Sequence, residues 1–399
     1  MCSLGNLCVD IELPVPALPN KATGEASRLA TSLVDGMQGT EHMELGGAVS
    51  NAVKTPGGRG LTRCDASQCN VLVASSRMGL RAAAIGTFTA DDPAGRFLRQ
   101  ELEAEGVELQ ASVPGTSGRG TLHCAIFVTP GGDHCFASIY DDGPWPIFSD
   151  ATTVGRRALE TISGSRALVL NGFALDEFPE DTLFAMAEDM AAKELLFDPG
   201  PRIATLRAST ARKRVLERLL QRASAACFTV DEFDQLVPQP SRSLEAKAGD
   251  FCREFMEAGE WLIVKAGGEG AHLVVCGEGG RPTLLHHPGF AVRHGALGVL
   301  RLDSADRGNG VQVTVADTVG CGDSFAAGVL LGRLCPDLIP AEVCLTVANA
   351  IGAATAERSS AGRNVATLER VKAILGEAGE TRALEGLGKW AQASQALTR

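Results

Sequence analysis

One segment of the chain combines a carboxylate with a glycine-rich bend. It reads Asp317-Thr318-Val319-Gly320-Cys321-Gly322-Asp323, and an apolar stretch follows at Val329-Leu330-Leu331. Small residues give way to a helical pattern just after Gly322, so we predict that a helix begins there. Backbone N–H groups and the positive end of the helix dipole at this point suit a phosphate or a developing anion. Asp323 falls in the first turn, where a carboxylate can accept a hydroxyl proton during phosphoryl transfer.

Spacing alone leaves a second interpretation of Asp323 open. Asp is favoured near the N-termini of helices, where its side chain caps backbone N–H groups. A capping Asp323 would take no part in a reaction, and the neighbouring residues do not decide between the two roles.

Strand-like apolar runs alternate with helical patterns along most of the chain. These strands and helices must position the glycine-rich segment at residues 317–323. Helical periodicity extends over residues 71–78, 94–105 and 182–193. Short buried strands are predicted at residues 82–85, 167–170, 195–197, 225–228, 262–265 and 272–275. Repeated β-α-β units indicate an α/β fold, with a mostly parallel sheet that is flanked by helices on both faces.

Two stretches depart from this alternation and predict a small β-sheet. Residues 12–44 are rich in Pro and polar residues, and residues 121–140 have the pattern of a hairpin around Pro130-Gly131-Gly132-Asp133. Such a layer would act as a lid that excludes water when substrate binds, with lid segments at about residues 11–45 and 111–145.

Two further stretches, at about residues 48–67 and 293–310, have the composition of loop insertions. The length and hydrophobic content of the chain suit one large domain plus an appendage.

The composition limits the partners and the location of the protein. A net charge of −11 disfavours nonspecific binding to nucleic acid. No stretch approaches the roughly 20 apolar residues of a membrane-spanning helix, so no membrane partner is expected. Twelve scattered cysteines without a Cys-x-x-Cys pair predict reduced thiols and no structural metal site. The N-terminus carries no signal segment, which predicts a cytoplasmic protein; an organellar location stays open if residues upstream of Met1 are missing.

The glycine-rich segment resembles the C-terminal signature of the PfkB/ribokinase-type carbohydrate kinases. That signature is Asp-Thr-x-Gly-Ala/Cys-Gly-Asp-x-Phe-x-x-Gly, and residues 317–328 supply every fixed position. The resemblance covers nearly the whole chain and implies a single domain over residues 1–399, with a ribokinase-like, Rossmann-type fold and a small β-sheet lid. It also implies an enzyme that uses ATP and Mg²⁺ to phosphorylate a hydroxyl group of a sugar or another small polyol. No Gly-x-x-x-x-Gly-Lys-Ser/Thr loop is present, so ATP would not bind through a P-loop.

The same resemblance assigns roles within the segment. Asp323 would be the catalytic base, and Gly320, Cys321 and Gly322 would form the anion hole for the transferring phosphoryl group. Asp317 and Thr318 would lie near a monovalent cation, K⁺, or near ATP.

A substrate site is implied in the N-terminal part of the chain. Gly5-Asn6-x-x-x-Asp10 resembles the family's first strand, whose terminal Asp bonds substrate hydroxyls; a surface turn residue is the alternative for Asp10. The family's Gly-Gly-Asn/Ala-x-x-Asn motif is split by an insertion of about twenty residues. The contacts would then be Gly46, Gly47 and Asn70, with Asn51 as the competing choice for the last.

A nucleotide loop is implied at Lys265, Gly267 and Gly270, which follow a predicted strand. Such glycines also form plain tight turns. Asn349 resembles a residue that lines the adenine pocket, with Gly362 nearby, and a buried, satisfied Asn is the alternative.

Two more positions resemble parts of the family's phosphate and metal sites. Arg202 stands near the phosphate path, where it would stabilise transferred charge or else pair with Asp198. Glu232 would help to organise Mg²⁺ through water, although Thr229 stands where the family has Asn.

Two other functions stay open at this stage. A nucleoside kinase of the pseudouridine type would use stacking residues in the lid, for which the candidates are Phe127, Phe136, Tyr140 and Trp145. A catalytically weak, kinase-like interaction module is the alternative from another class, because of the two insertions and because Ala90 and Thr229 depart from the family pattern. The resemblance also allows a homodimer that pairs through its lids.

Overall fold

The computed structural model of the chain covers most of the strands and helices that the sequence predicts. It describes residues 1–5, 7–20, 23, 25–26, 28–29, 61–63, 67–88, 93–109, 113–114, 121–129, 134–138, 156–173, 194–207, 210–239, 241–294, 312–316, 318–358 and 362–398. Outside these ranges lie the predicted helix at 182–193, most of both loop insertions, and the positions Asn6, Gly46, Gly47, Asn51, Ala90, Tyr140, Trp145 and Asp317.

The strands of the described ranges are β1 (Cys2–Leu4), β2 (Cys8–Pro14), β3 (Leu61–Arg63), β4 (Ala83–Ile85), β5 (Thr87–Phe88), β6 (Val113–Pro114), β7 (Leu122–Val128), β8 (His134–Ser138), β9 (Ala167–Asn171), β10 (Glu194–Asp198), β11 (Ala225–Thr229), β12 (Trp261–Lys265), β13 (Ala271–Cys276), β14 (Pro282–His287), β15 (Ala291–His294) and β16 (Gln312–Val315). The α-helices are α1 (Ser67–Arg77), α2 (Pro93–Ala104), α3 (Arg156–Gly164), α4 (Ile203–Leu206), α5 (Thr210–Arg222), α6 (Val230–Leu236), α7 (Leu244–Phe255), α8 (Cys321–Leu334), α9 (Ala341–Ala356), α10 (Leu368–Glu377) and α11 (Thr381–Thr398).

An eight-stranded sheet forms the centre of the fold, in the order β14-β13-β12-β11-β10-β9-β1-β4. Strands β4, β1, β9, β10, β11 and β12 run parallel to one another. Strand β13 pairs antiparallel with β12 at one edge, and β14 pairs antiparallel with β13. Trp261, Leu262, Ile263 and Val264 of β12 are all buried, as expected for a strand with helices on both faces. The predicted mostly parallel sheet is confirmed.

Helices cover both faces of this sheet. Residues of α8, α9, α10 and α11 form one core cluster, which includes Ile263 of β12. Residues of α3 to α7 form a second cluster, which includes Leu262 and Val264. Neighbouring residues of β12 belong to opposite clusters because side chains alternate between the two faces of a strand. Within the described ranges, no helix is long and apolar enough to cross a bilayer.

The predicted small sheet is present and has four strands, in the order β3-β2-β7-β8. Strands β7 and β8 are antiparallel neighbours, which confirms the hairpin predicted at residues 121–140. Asp10 lies in β2, in register with Arg63 of β3 and Cys124 of β7. The chain therefore supplies the β-layer that the lid prediction requires, with Asp10 in its second strand.

One pair of cysteines corrects the prediction that the thiols are reduced. Cys252 of α7 and Cys276 of β13 form a disulfide, with their Cα atoms 5.7 Å apart. They are separated by 24 positions and meet because α7 packs against the sheet beside β13. No short motif links the two residues, so their spacing did not reveal the pair. Eight further cysteines whose side chains the structure describes carry thiols, namely Cys2, Cys8, Cys69, Cys124, Cys227, Cys321, Cys335 and Cys344.

Helices α8 and α9 pack so closely that glycine is required between them. A Cβ atom on Gly328 would lie 2.5 Å from Cα of Ala348, and one on Gly332 would lie 2.6 Å from Cβ of Cys344. Gly328 and Gly332 are four residues apart, so they lie on one face of α8. This contact sets the position of α8, which begins at the predicted anion site, relative to α9, which carries Asn349.

We expect Gly328→Ala to lower the free energy of unfolding by about 1–3 kcal/mol, because the added methyl group overlaps the backbone of α9. Gly388→Ala in α11 is the matched control, since nothing lies within 4 Å of a Cβ atom at Gly388. At such an open helical position the same change should raise stability by about 0.5–1 kcal/mol. Urea unfolding followed by circular dichroism measures both variants, and equal shifts would contradict the close packing.

Candidate active site

The predicted helix N-terminus is present at the start of α8. The N-cap residue is Gly320, whose φ of 75° and ψ of −4° lie in the left-handed region that favours glycine. The N–H of Ser324 donates to the carbonyl of Gly320 at 2.9 Å and so opens the helix. Gly320 therefore takes the N-cap position that the alternative interpretation gave to Asp323, and Asp323 stands in the first turn.

The carboxylate of Asp323 is bound by an amide from another helix. Nδ2 of Asn70 in α1 donates to Oδ2 of Asp323 at 2.9 Å, across 253 positions of the sequence. Oδ1 of Asn70 accepts from the N–H of Gly362 at 2.9 Å. The fold thus brings together two residues of the predicted site, and it shows a contact between them that the sequence analysis did not foresee.

A cleft of about 620 Å³ opens beside the start of α8, within the usual size range of small-molecule sites. Its wall includes seven of the residues predicted for nucleotide or anion binding, namely Lys265, Gly267, Gly270, Thr318, Cys321, Gly322 and Asn349. Nδ2 of Asn349 donates to the carbonyl of Leu345 at 2.9 Å. Asn349 is thus both a satisfied buried amide and a cleft residue.

The predicted nucleotide loop is a tight turn that faces the cleft. Residues Gly267–Glu269 form a short 3-10 helix, and the N–H of Ala266 donates to the carbonyl of Gly270 at 2.8 Å. Gly270 has a φ of 88°, and a Cβ atom there would overlap the carbonyl of His287. The two interpretations of these glycines are therefore compatible, because the turn itself forms part of the cleft wall.

Lys265 lies at the end of β12, next to Gly322. Its Nζ is 3.5 Å from the point where a Cβ atom on Gly322 would stand. Nζ also donates to Oδ2 of Asp198 at 2.6 Å, and the two side chains are only 12% and 16% exposed. A Cβ atom at position 322 would be in van der Waals contact with the ammonium group, and glycine leaves that space open.

The ammonium group of Lys265 stays charged in this setting. Burial works against the charge, but the carboxylate of Asp198 outweighs it and raises the pKa of Lys265 above its usual range. The site therefore holds a permanent cation beside the helix N-terminus at any pH near neutrality.

Glu232 is tied into the start of α6. The N–H of Thr229 donates to Oε2 of Glu232 at 2.8 Å, and the N–H of Glu232 donates to Oγ1 of Thr229 at 3.2 Å. This capping box gives Thr229 a structural role. Burial raises the pKa of Glu232, and the Thr229 N–H opposes that shift. Asp231, which the sequence analysis missed, is exposed and lines the cleft from the same first turn.

Arg202 lies beside an aromatic ring at the end of the sheet. Its guanidinium carbon is 4.8 Å from the centre of the Phe173 ring. Asp198, the partner that the sequence suggested for Arg202, bonds with Lys265 and accepts from the Gly200 N–H at 3.1 Å. A role of Arg202 in binding phosphate stays a prediction.

His287 supports the part of the cleft wall that packs against the Gly267–Gly270 turn. Its Nδ1 accepts from the N–H of Gly289 at 3.1 Å, and its ring centre is 5.2 Å from that of Phe290. Gly289 and Phe290 both line the cleft. Burial, followed by the charge of His286, lowers the pKa of His287 to about 4, even though Oε1 of Glu380 is 3.9 Å from Nε2. The ring is therefore neutral at pH 7, as an acceptor at Nδ1 must be.

His287 should make the stability of the fold depend on pH. The unfolded state takes up a proton near pH 6.5 but the folded state only near pH 4, so this contribution is complete above pH 6.5 and is lost as the pH falls towards 4. His287→Asn keeps an acceptor for Gly289 and does not titrate. Between pH 7 and 5 this variant should lose about 1–2 kcal/mol less stability than the unchanged protein. Urea unfolding at the two pH values tests this, and an identical pH dependence would rule it out.

Comparison with known proteins identifies the family. A model of the pfkB family of carbohydrate kinases matches residues 24–292. The chain belongs to this family. The match ends before residue 317, so it is independent of the C-terminal signature and confirms the resemblance from a different part of the sequence. This pfkB-family carbohydrate kinase has its candidate active site where the two parts meet, between β12 and α8.

Solved structures confirm the ribokinase-like fold. Ribokinase from Thermotoga maritima is 16% identical with a TM-score of 0.63, and the alignment covers 94% of this chain and 98% of that chain. Arabidopsis thaliana ribokinase, solved with ribose and ATP, is 15% identical with a TM-score of 0.62, covering 94% and 97%. Adenosine kinase from Sinorhizobium meliloti is 17% identical with a TM-score of 0.63, covering 90% and 94%. At these identities the likeness concerns the fold.

Proposed function

We propose that this pfkB-family kinase transfers the γ-phosphoryl group of ATP to a hydroxyl group of a sugar or another small polyol. The observation that carries the proposal is the position of the Lys265 ammonium, 3.5 Å from the Cβ site of Gly322, at the start of the helix whose first turn holds Asp323. A cation, helix N–H groups and a carboxylate converge within one helical turn. In-line phosphoryl transfer uses these groups.

The lining of the cleft suits both the base and the phosphates of ATP. Phe290, Val313 and Phe325 give part of the cleft an apolar wall that suits a nucleotide base, while Lys265 and Gly322 stand where the phosphates would lie. The Arabidopsis ribokinase with a similar fold was solved with ribose and ATP. These observations support ATP as the phosphoryl donor.

Mg²⁺ is the metal that the site fits. Among the described residues, no group of three or more His, Cys, Asp or Glu side chains is placed to hold a metal ion by itself. Mg²⁺ is compatible with this, because it binds through one or two carboxylates, several waters and the nucleotide phosphates. Asp231 on the cleft wall and Glu232 beside it are the carboxylates proposed for that shell. When bound, the ion neutralises the β- and γ-phosphate oxygens.

The side chains of the site then have distinct tasks. Asp323 takes the proton from the acceptor hydroxyl, while the first-turn N–H group of Gly322 binds the migrating phosphoryl group. The N–H of Cys321 donates to the carbonyl of Thr318 at 3.3 Å, so it joins this anion site only if that bond is exchanged for the phosphoryl oxygen. Lys265 stabilises the charge that develops on the phosphoryl group. Thr318 lines the cleft nearby, and we propose it, together with Asp317, for K⁺ or ATP.

Acceptor recognition is proposed for the small sheet, through Asp10 in β2. A nucleoside acceptor would need an aromatic ring on which a base can stack. Phe127 is 1% exposed and belongs to the interior, and Tyr140 and Trp145 lie outside the described residues. Phe127 is therefore removed as a stacking candidate, and the side chain of Phe136 is not among those that the structure describes.

An assay of ADP release against a panel of sugars, polyols and nucleosides tests this proposal, with Mg²⁺ and K⁺ varied independently. We expect turnover with at least one sugar or polyol and none without Mg²⁺. Turnover with nucleosides alone would show that the acceptor is a nucleoside and not a sugar or polyol. ATP binding without turnover on any member would contradict the proposal and favour a kinase-like interaction module.

A further inference from the structure

Asn70 joins three separate parts of the fold next to the proposed base. It stands in α1, its Nδ2 donates to Oδ2 of Asp323 in α8, and its Oδ1 accepts from the N–H of Gly362, both at 2.9 Å. Gly362 begins the short turn Gly362–Asn364, which follows α9. Asn70 is 2% exposed, so its amide faces protein groups.

The two hydrogen bonds determine which amide atom faces Asp323. A backbone N–H can only donate, so the atom that faces Gly362 must be the amide oxygen. The NH₂ group of Asn70 therefore faces Asp323, whose carboxylate accepts the bond. A hydrogen bond donated to a carboxylate favours its ionised form, which is the form that a general base needs.

A second contact fixes α1 against the same segment. Nη1 of Arg77 donates to the carbonyl of Val365 at 2.6 Å, and Arg77 also forms a two-point ion pair with Glu105. Asn70 and Arg77 are seven residues apart, which places them on one face of α1. The helix is therefore attached to residues 362–365 at two points, and the Asn70 end is the one that reaches Asp323.

We infer that Asn70 is a positioning residue for the catalytic base, and that its task is to hold the Asp323 carboxylate ionised and correctly oriented rather than to bind the phosphoryl acceptor. The inference rests on the role of Asp323 in the proposed function. Through Gly362, the orientation of Asp323 also depends on the segment that follows the cleft helix α9. The substrate contact predicted at Asn70 is the competing role, and kinetics separate the two.

Asn70→Asp is the sharpest variant, because it keeps the shape and the acceptor for Gly362 but replaces the donor with a carboxylate. We expect kcat to fall about ten- to a hundredfold, with KM for the acceptor changed by less than about threefold. The acidic limb of the kcat profile should move to higher pH by about one unit or more, because two carboxylates repel each other. Asn70→Leu removes the hydrogen bonds to Asp323 and Gly362 without adding charge. The acidic limb of its kcat profile should therefore also move to higher pH, by a smaller amount.

Ser76→Ala on α1 is the matched control. It removes a hydrogen bond of 2.6 Å to the carbonyl of Glu105, so it weakens the same helix away from Asp323. The acidic limb of the kcat profile of Ser76→Ala should lie at the same pH as in the unchanged protein. Lys265 and Asp198, the ion pair next to the start of α8, are untouched in all three variants. An unmoved limb together with a raised KM for the acceptor in both Asn70 variants would overturn the inference and assign Asn70 to the substrate.

A readout that needs no turnover separates this inference from the proposed function. Carboxyl ¹³C NMR of protein labelled at Asp follows the titration of Asp323, whose signal is assigned through its loss in Asp323→Asn. A midpoint that moves to higher pH in Asn70→Leu supports the inference even if no acceptor in the panel is phosphorylated. An unmoved midpoint overturns it, whereas an inactive panel with a moved midpoint overturns the proposed function alone.

Discussion

Asp323→Asn is expected to lower kcat by about 10²- to 10⁴-fold while ATP still binds. The change keeps the shape of the side chain and removes the group that accepts the hydroxyl proton. An Asn at this position can still turn its oxygen towards Nδ2 of Asn70, which donates at 2.9 Å, so the local packing should survive. Steady-state kinetics in both substrates, with ATP binding measured by calorimetry, give the two quantities.

A matched control tests whether Asp323 acts only through the helix dipole. Glu369 is an exposed carboxylate in the first turn of α10, so Glu369→Gln also removes a negative charge from a helix N-terminus. Such a charge contributes about 0.3–1 kcal/mol to stability. We expect Glu369→Gln to leave kcat unchanged. Near-normal turnover of Asp323→Asn would show that Asp323 is a helix-stabilising residue and not the base.

Lys265→Met is expected to lower kcat/KM for ATP by about 10²- to 10³-fold, because it removes the cation beside the start of α8. It also leaves Asp198, which is 16% exposed, without its ammonium partner, at a cost of about 3–5 kcal/mol in stability. The double variant Lys265→Met/Asp198→Asn removes both charges. It should regain stability but not activity, and urea unfolding together with ATP kinetics separates the two effects.

Arg333→Met is the control for the loss of a half-buried cation. Nε of Arg333 lies 2.7 Å from Oε2 of Glu194, at the far end of the same helix α8. Its guanidinium also lies over Trp261, the first residue of the strand that Lys265 ends. This variant should lose stability with kcat/KM for ATP unchanged. If Lys265→Met also left kcat/KM for ATP unchanged, the ammonium group would have no part in phosphate binding.

The fold was predictable where local pattern decides local structure. The apolar run of Trp261, Leu262, Ile263 and Val264 has the length and burial of a central strand. The antiparallel pairing of β7 and β8 was predicted from the turn-forming sequence Pro-Gly-Gly-Asp between them. The start of α8 was predicted because small residues give way to a helical pattern just after Gly322, and the helix begins at Cys321, with Gly320 in the left-handed conformation before it.

The partners of the site residues were not predictable in this way. Asn70 meets Asp323 across 253 positions, and Lys265 meets Asp198 across 67. Such contacts depend on how α1 packs against α8 and on the order of strands in the sheet, which no local pattern encodes. Lys265 pairs with Asp198 from two strands away in the sheet, and the sequence suggested no such pair.

The most direct test of phosphoryl transfer is ³¹P NMR of a reaction that contains ATP, Mg²⁺ and the acceptor that the panel selects. A new phosphomonoester resonance should grow one for one with ADP in the unchanged protein and should be absent with Asp323→Asn. ADP that accumulates with inorganic phosphate, with no phosphomonoester for any acceptor, would contradict the account.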